Sequence, residues 1–84
     1  MLRVDKFLKN SRLIKRRTVA KEAADGGRID VNGRTAKAGT EVVPGDIMTI
    51  AFGNKTLEIE ILAIPETVRK EQAQEMYRVI GENE

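Results

Sequence analysis

Eight cations fall within the first 21 residues: Arg3, Lys6, Lys9, Arg12, Lys15, Arg16, Arg17 and Lys21. A single acid, Asp5, stands among them. Guanidinium and ammonium groups at this density can neutralise a polyanion such as a nucleic-acid backbone. The crowding is unfavourable in itself. Like charges three or four residues apart on a helix oppose its formation by a few tenths of a kcal/mol, roughly 0.2–0.5 per pair. Cations in a helix's first turn oppose the macrodipole by about 0.3–1 kcal/mol each. Lys15-Arg16-Arg17 stands where that second penalty applies, at the head of an expected helix. Stability alone would favour Asp or Glu there. A solvated charge run explains solubility but not this placement, whereas an external polyanion explains both.

Other chemistry finds little support. The chain has no Cys and no His, so it offers no disulfide, no Cys-based zinc site and no imidazole base. A carboxylate enzyme remains conceivable, but Asp5 beside Lys6 reads as a salt-bridge or capping partner. Gly26-Gly27 reads as a helix cap rather than a phosphate cradle. There is no Walker-type loop, dinucleotide fingerprint or nucleophile elbow. No catalytic residue, cofactor site or metal site is expected. Aromatic residues are limited to Phe7, Phe52 and Tyr77, and the two Phe lie on apolar faces. Readers of single strands need exposed rings for stacking. Structured RNA, held through its phosphates and shape, therefore fits better, although composition alone does not separate RNA from DNA.

The elements that must position these cations follow from periodicity. Val4, Phe7 and Leu8 give residues 3–9 a helical stripe, with Arg3, Lys6 and Lys9 opposite. A second helix is expected from about Arg16 to Ala24, with Val19, Ala20, Ala23 and Ala24 on one arc. Ser11 could cap an earlier turn. The period then changes to two. Arg28-Ile29-Asp30-Val31, the Asn32-Gly33 turn and Arg34-Thr35-Ala36 form a hairpin. Pro44-Gly45 fits a type II turn. Ile47–Phe52 and Lys55–Ile64 read as strands about a tight turn at Gly53-Asn54, with Leu57, Ile59 and Ile61 inward. Pro65 closes the sheet. Thr67 is expected to cap a last helix carrying Val68, Ala73, Met76, Tyr77 and Ile80, stopped by Gly81. The fold class is α+β: two N-terminal helices on a small antiparallel sheet, then a C-terminal helix. The division expected is a domain over 1–64 and a helix and tail over 65–84.

Charge is divided along the same line. Residues 1–40 hold eleven Lys/Arg and four Asp/Glu, a net +7, whereas residues 41–84 hold four and nine, a net −5. One half suits a polyanion and the other would be repelled by it. Glu66, Glu71 and Glu75 read first as a solvated face of the last helix, and could also hold it off RNA or face a protein. No apolar run approaches the roughly 20 residues of a membrane span, and no signal-peptide h-region is visible. The Arg-rich start could mimic a mitochondrial transit peptide, but Val4, Phe7 and Leu8 read as domain core. A cytoplasmic location is expected.

Taken in order, Arg3-Val-Asp-Lys-Phe-Leu-Lys9, Ser11-Arg-Leu-Ile-Lys-Arg-Arg-Thr18, Gly27-Arg-Ile-Asp-Val-Asn-Gly33, Ala36-Lys-Ala-Gly39 and Val43-Pro-Gly-Asp46 resemble the S4-type RNA-binding domain. The likeness covers about residues 1–64, and its specificity lies in the set rather than in any one piece. Within that family the chain resembles short stand-alone members that act on obstructed large ribosomal subunits. The resemblance implies binding to large-subunit rRNA and peptidyl-tRNA, beside a partner that adds alanine to the stalled chain, with no membrane and as a monomer. A general rRNA-binding assembly factor or RNA chaperone is the alternative. S4-type domains are also appended to RNA-modifying and tRNA-charging enzymes, but 84 residues leave no room for a catalytic domain. The resemblance assigns RNA contacts to Arg3 in the first helix and Arg17 at the head of the second. Lys6, Lys9, Arg12, Lys15, Arg16 and Lys21 support them, and Lys37 lies just past the family hairpin. Asp46 reads as structural. Leu2, placed between Met1 and Arg3, departs from the closer relatives and could shift how the N-terminus meets RNA.

Overall fold

The computed structural model describes residues 1–65 and 68–83. Strand β1 (Leu2–Arg3) leads into helix α1 (Val4–Asn10) and helix α2 (Arg17–Asp25). Six strands follow: β2 (Ile29–Val31), β3 (Arg34–Thr35), β4 (Glu41–Val42), β5 (Ile47–Phe52), β6 (Lys55–Ile61) and β7 (Tyr77–Asn83). A 3-10 helix (Lys70–Met76) precedes β7. The main sheet is antiparallel in the order β3-β2-β5-β6-β7, while β1 pairs with β4 separately. The core is continuous. Phe7 and Leu8 of α1, Ala20 and Ala24 of α2, and Ile29, Met48, Ile50, Ile59 and Ile61 of the sheet are all buried in it. The small Ala20 and Ala24 let α2 lie close against α1, as their spacing predicts. Val19 drops out of the arc and is exposed.

Both helices end with a residue in the left-handed region, though their closing hydrogen bonds differ. At the end of α2 the Gly27 amide donates to the Ala24 carbonyl and the Arg28 amide to that of Ala23, with Gly27 at φ +81°. This is a Schellman cap with glycine in its left-handed position. At the end of α1 the Ser11 hydroxyl donates to the Leu8 carbonyl at 3.2 Å, and the Arg12 amide to that of Lys9 at 3.1 Å. Ser11 thus closes α1 instead of capping an earlier start of the second helix. Here the left-handed position holds Arg12, at φ +62°.

The turn chemistry matches expectation. Asn32 (φ +53°) and Gly33 (φ +82°) make a primed hairpin turn that puts Val31 opposite Arg34. Gly45 at φ +98°, with the Asp46 amide donating to the Val43 carbonyl, makes the type II turn. These turns lock together. Asn32 Nδ2 donates to Asp46 Oδ1 at 3.1 Å, and Asn32 Oδ1 accepts from the Ile47 amide at 2.9 Å. Asp46 Oδ2 accepts from the Val43 amide at 3.0 Å. The Asn-Gly and Gly-Asp pieces of the motif are one hydrogen-bonded device holding β2 beside β5, so Asp46 is structural.

The C-terminal segment departs from expectation. Ala73 and Met76 are buried as the pattern requires, but the helix is 3-10 and stops at Met76. Tyr77 and Ile80, expected on that helix, lie in β7, which pairs with β6. Tyr-Arg-Val-Ile is aromatic and β-branched, which suits a pleated surface, and β6 offers an unpaired edge. Glu58 faces Gly81 while Ile59 faces Val79, so Ile80 is the extra residue of a β-bulge. Strand β6 ends at Ile61 rather than Ile64. The expected cap Thr67, with Glu66, lies outside the described residues.

Candidate nucleic-acid interface

The cationic segment folds into the α1–α2 hairpin, and its centre is a buried acid. The Asp5 side chain is 3% exposed, whereas those of Arg3 and Arg17 are 50% and 53% exposed. Arg3 grips Asp5 with two nitrogens, Nε to Oδ1 at 3.2 Å and Nη2 to Oδ2 at 3.3 Å. Arg17 Nε lies 3.5 Å from Oδ2, at the long limit of a hydrogen bond, and acts mainly as an ion-pair partner. The Lys6 amide donates to Oδ1 at 2.8 Å. One carboxylate thus fixes two guanidinium groups from two different elements. Each turns about half its surface to solvent, with donors left for an outside acceptor. Arginine in this forked geometry suits phosphate oxygens.

Local backbone chemistry explains how Arg3 can stand at a helix start. A helix leaves its first amides without partners. In α1 the Val4 amide donates to the Thr40 carbonyl and the Asp5 amide to the Ala38 carbonyl. The Asp5 carboxylate takes the Lys6 amide. No capping side chain is needed at Arg3, and Asp5 sits where a negative charge favours the dipole. Leu2 is buried and paired with Val42, so it belongs to the strand that sets Arg3 in place. Arg3 therefore ends β1 rather than lying within α1. Arg17 is the first residue of α2, whose first turn has no acid and whose N-cap, Arg16, makes no side-chain capping bond. The unfavourable placement seen in the sequence is real, and among the described residues Asp5 is the acid that pairs with Arg17.

The remaining cations divide. Lys21 shares a hollow with Arg3, Asp5, Arg17 and Thr18. Lys9, Arg12 and Lys15 line another, with Asn10 and Val68. Lys6 is half-buried and Arg16 exposed, and neither lines these two hollows. Lys37 is engaged elsewhere: its Nζ donates to the Asp25 carbonyl at 3.4 Å, while the Ala38 amide donates to Asp25 Oδ1 at 3.0 Å. It helps tie the 36–40 loop to the end of α2. That loop also carries the carbonyls that cap α1, and Gly39 lies close to the Arg3 guanidinium. Sequence reasoning placed the cations but missed the clamp. Asp5 was seen only against its neighbour Lys6, whereas its side-chain partners are Arg3 and Arg17. The signal was a lone acid inside a basic run.

A buried carboxylate holds two arginines, with further cations on the same helical hairpin, an arrangement suited to a polyanion, and comparison places its family. Residues 2–47 match the S4 domain, and the chain belongs to that family. Among curated proteins it is 52% identical over 81 residues to the RQC P-site tRNA stabilizing factor of Bacillus subtilis (strain 168), covering 96% of this chain and 94% of that one. It is 59% identical over 78 residues to the protein of the same name from Halalkalibacterium halodurans, covering 93% and 89%. Among solved structures, the trimeric Heat Shock Protein 15 of Vibrio cholerae superposes with a TM-score of 0.86 at 32% identity, over 94% of this chain and 81% of that one.

Proposed function

We propose that this chain is a P-site tRNA-stabilising factor of ribosome-associated quality control. The end-to-end likeness to proteins of that name supports the role. The observation that supplies its physical basis is the Arg3–Asp5–Arg17 clamp, a rigid two-arginine presentation at the centre of a basic hairpin. The chain works by binding, without chemistry of its own. Its helical hairpin lies against phosphates of P-site tRNA and large-subunit rRNA. Arg3 and Arg17 are the anchoring contacts. Lys6, Lys9, Arg12, Lys15, Arg16 and Lys21 supply surrounding positive potential, with Lys37 at the margin. It acts in the cytoplasm, as a monomer, while a separate factor adds alanine to the stalled chain.

The test is co-sedimentation with large subunits, with and without peptidyl-tRNA, comparing the native protein with R3A and R17A. Binding that requires the tRNA and is lost in both variants is expected. Equal affinity for empty and loaded subunits would point instead to a general rRNA-binding assembly factor. Failure to bind either particle would overturn the proposal.

A further inference from the structure

The caps of the two helices pose the same geometric demand and meet it differently. Each needs one residue in the left-handed region just past the helix end. In α2 that residue is Gly27, at φ +81°, with nothing within 4 Å of where its Cβ would lie. In α1 it is Arg12, at φ +62°. Left-handed backbone is disfavoured for any residue with a Cβ, and Arg lacks the short polar side chain that lets Asn adopt it. Strain of this kind persists where the surrounding structure enforces it, and it concentrates at functional sites. The Arg12 side chain is not spent on the fold: the residue is exposed, and among the described residues the only ion pairs of the helical hairpin are those of Arg3 and Arg17 with Asp5.

What the conformation achieves is a concave basic site. Arg12 lines a hollow of about 200 Å³ with Lys9, Asn10, Lys15 and Val68. Lys9 is in the last turn of α1, and Lys15 comes from the link to α2. Among the described residues, no acid lines the hollow. It is separate from the Arg3–Arg17 hollow, with which it shares no residue. The two lie toward opposite ends of α1. From Val4 to Lys9 the helix rises roughly 7–8 Å, at about 1.5 Å per residue, so the two hollows would meet different phosphates of the RNA.

We infer that the α1–α2 loop forms a second phosphate subsite for RNA, in which Arg12 takes a strained left-handed cap position so that its guanidinium joins Lys9 and Lys15 around one backbone phosphate. The inference rests on the RNA-binding reading above and deepens it. It makes a prediction of opposite signs: relieving the strain at Arg12 stabilises the fold and weakens RNA binding.

The experiment uses the full chain and large subunits carrying peptidyl-tRNA, with R12G, R12N, R12K and R17A beside the native protein. R12G and R12N are expected to melt higher than native, R12G by about 4 °C or more for a domain of this size. Both should bind roughly tenfold more weakly, with the salt slope of log affinity reduced by about one, the loss of one phosphate contact. R12K, which keeps the charge, should restore the slope. Native affinity and slope in both R12G and R12N, with R17A still impaired, would overturn the subsite and leave the RNA-binding reading intact. A lower melting temperature in both R12G and R12N would also overturn it, by showing that Arg12 serves the fold. If native protein does not bind the loaded subunits, or R17A binds as native does, the parent reading fails and the subsite with it.

Discussion

Asp5 carries two duties at once, and they can be separated energetically. With both arginines present the buried carboxylate has a bidentate partner, a second cation and a backbone amide. Removing either arginine leaves the other in place. Both are half exposed, so screening limits each single loss to about 0.5–1 kcal/mol. Removing both leaves a charge buried with one amide, which costs on the order of 3 kcal/mol. R3A and R17A are therefore expected to be mild alone and more than additive together, by about 1 kcal/mol or more, in urea unfolding of the four-protein cycle. Strict additivity would mean that the arginines do not share the anchor. From sequence Arg17 stands only as a first-turn cation opposing the helix dipole, whereas the fold gives it a partner in Asp5. The cationic residues themselves were legible, because density and position are local properties. Their anchor was not, because Arg17 reaches Asp5 across 12 positions and only the packing of α2 on α1 brings them together.

Among the elements, the caps and turns were the most legible parts, since each depends on a few adjacent residues. Asn32-Gly33, Pro44-Gly45 and Gly26-Gly27 all adopt the backbone that their types demand. Gly27 allows a clean measure of such a demand. At φ +81°, with open space around a would-be Cβ, Gly27→Ala should cost about 1–2 kcal/mol from conformation alone. Gly27→Asn should recover part of it, read by thermal unfolding. The C-terminal segment was misread because its own spacing admits two answers. Val68, Ala73, Met76, Tyr77 and Ile80 can be drawn as a helical stripe, yet partnership with β6 decides the outcome beyond Met76. That pairing is non-local, and a bulge at Ile80 further hides the strand's alternation. A chain ending at Met76 would expose the edge of β6 and lose six paired positions. At roughly 0.5–1.5 kcal/mol per hydrogen bond, against a total stability of about 4–13 kcal/mol for this length, it should lose cooperative unfolding by circular dichroism. A sharp native-like transition would show that β7 is dispensable.

At the level of the whole molecule, the charge division seen in the sequence becomes a division of labour between layers. Among the described residues, the helical hairpin's cations form ion pairs only with Asp5. The acids of the sheet are partly answered locally, Glu60 by Arg78 across β6 and β7 at 2.5 Å and Glu82 by Lys55. No described ion pair joins the hairpin's cations to the sheet's acids. The basic layer thus keeps its positive potential in the folded state, and binding should be driven by release of counterions from the nucleic acid. With about six phosphates neutralised, affinity should fall roughly a thousandfold between about 50 and 200 mM salt, on the duplex-DNA slope. The same titration distinguishes the layers. Reversing a sheet charge, as in Glu60→Lys, should leave the slope unchanged and alter affinity little, because that group lies outside the proposed contact. Replacing Lys21 by Ala should lower the slope by about one. A shallow salt dependence in the native protein would mean that shape and packing, rather than the basic hairpin, hold the RNA.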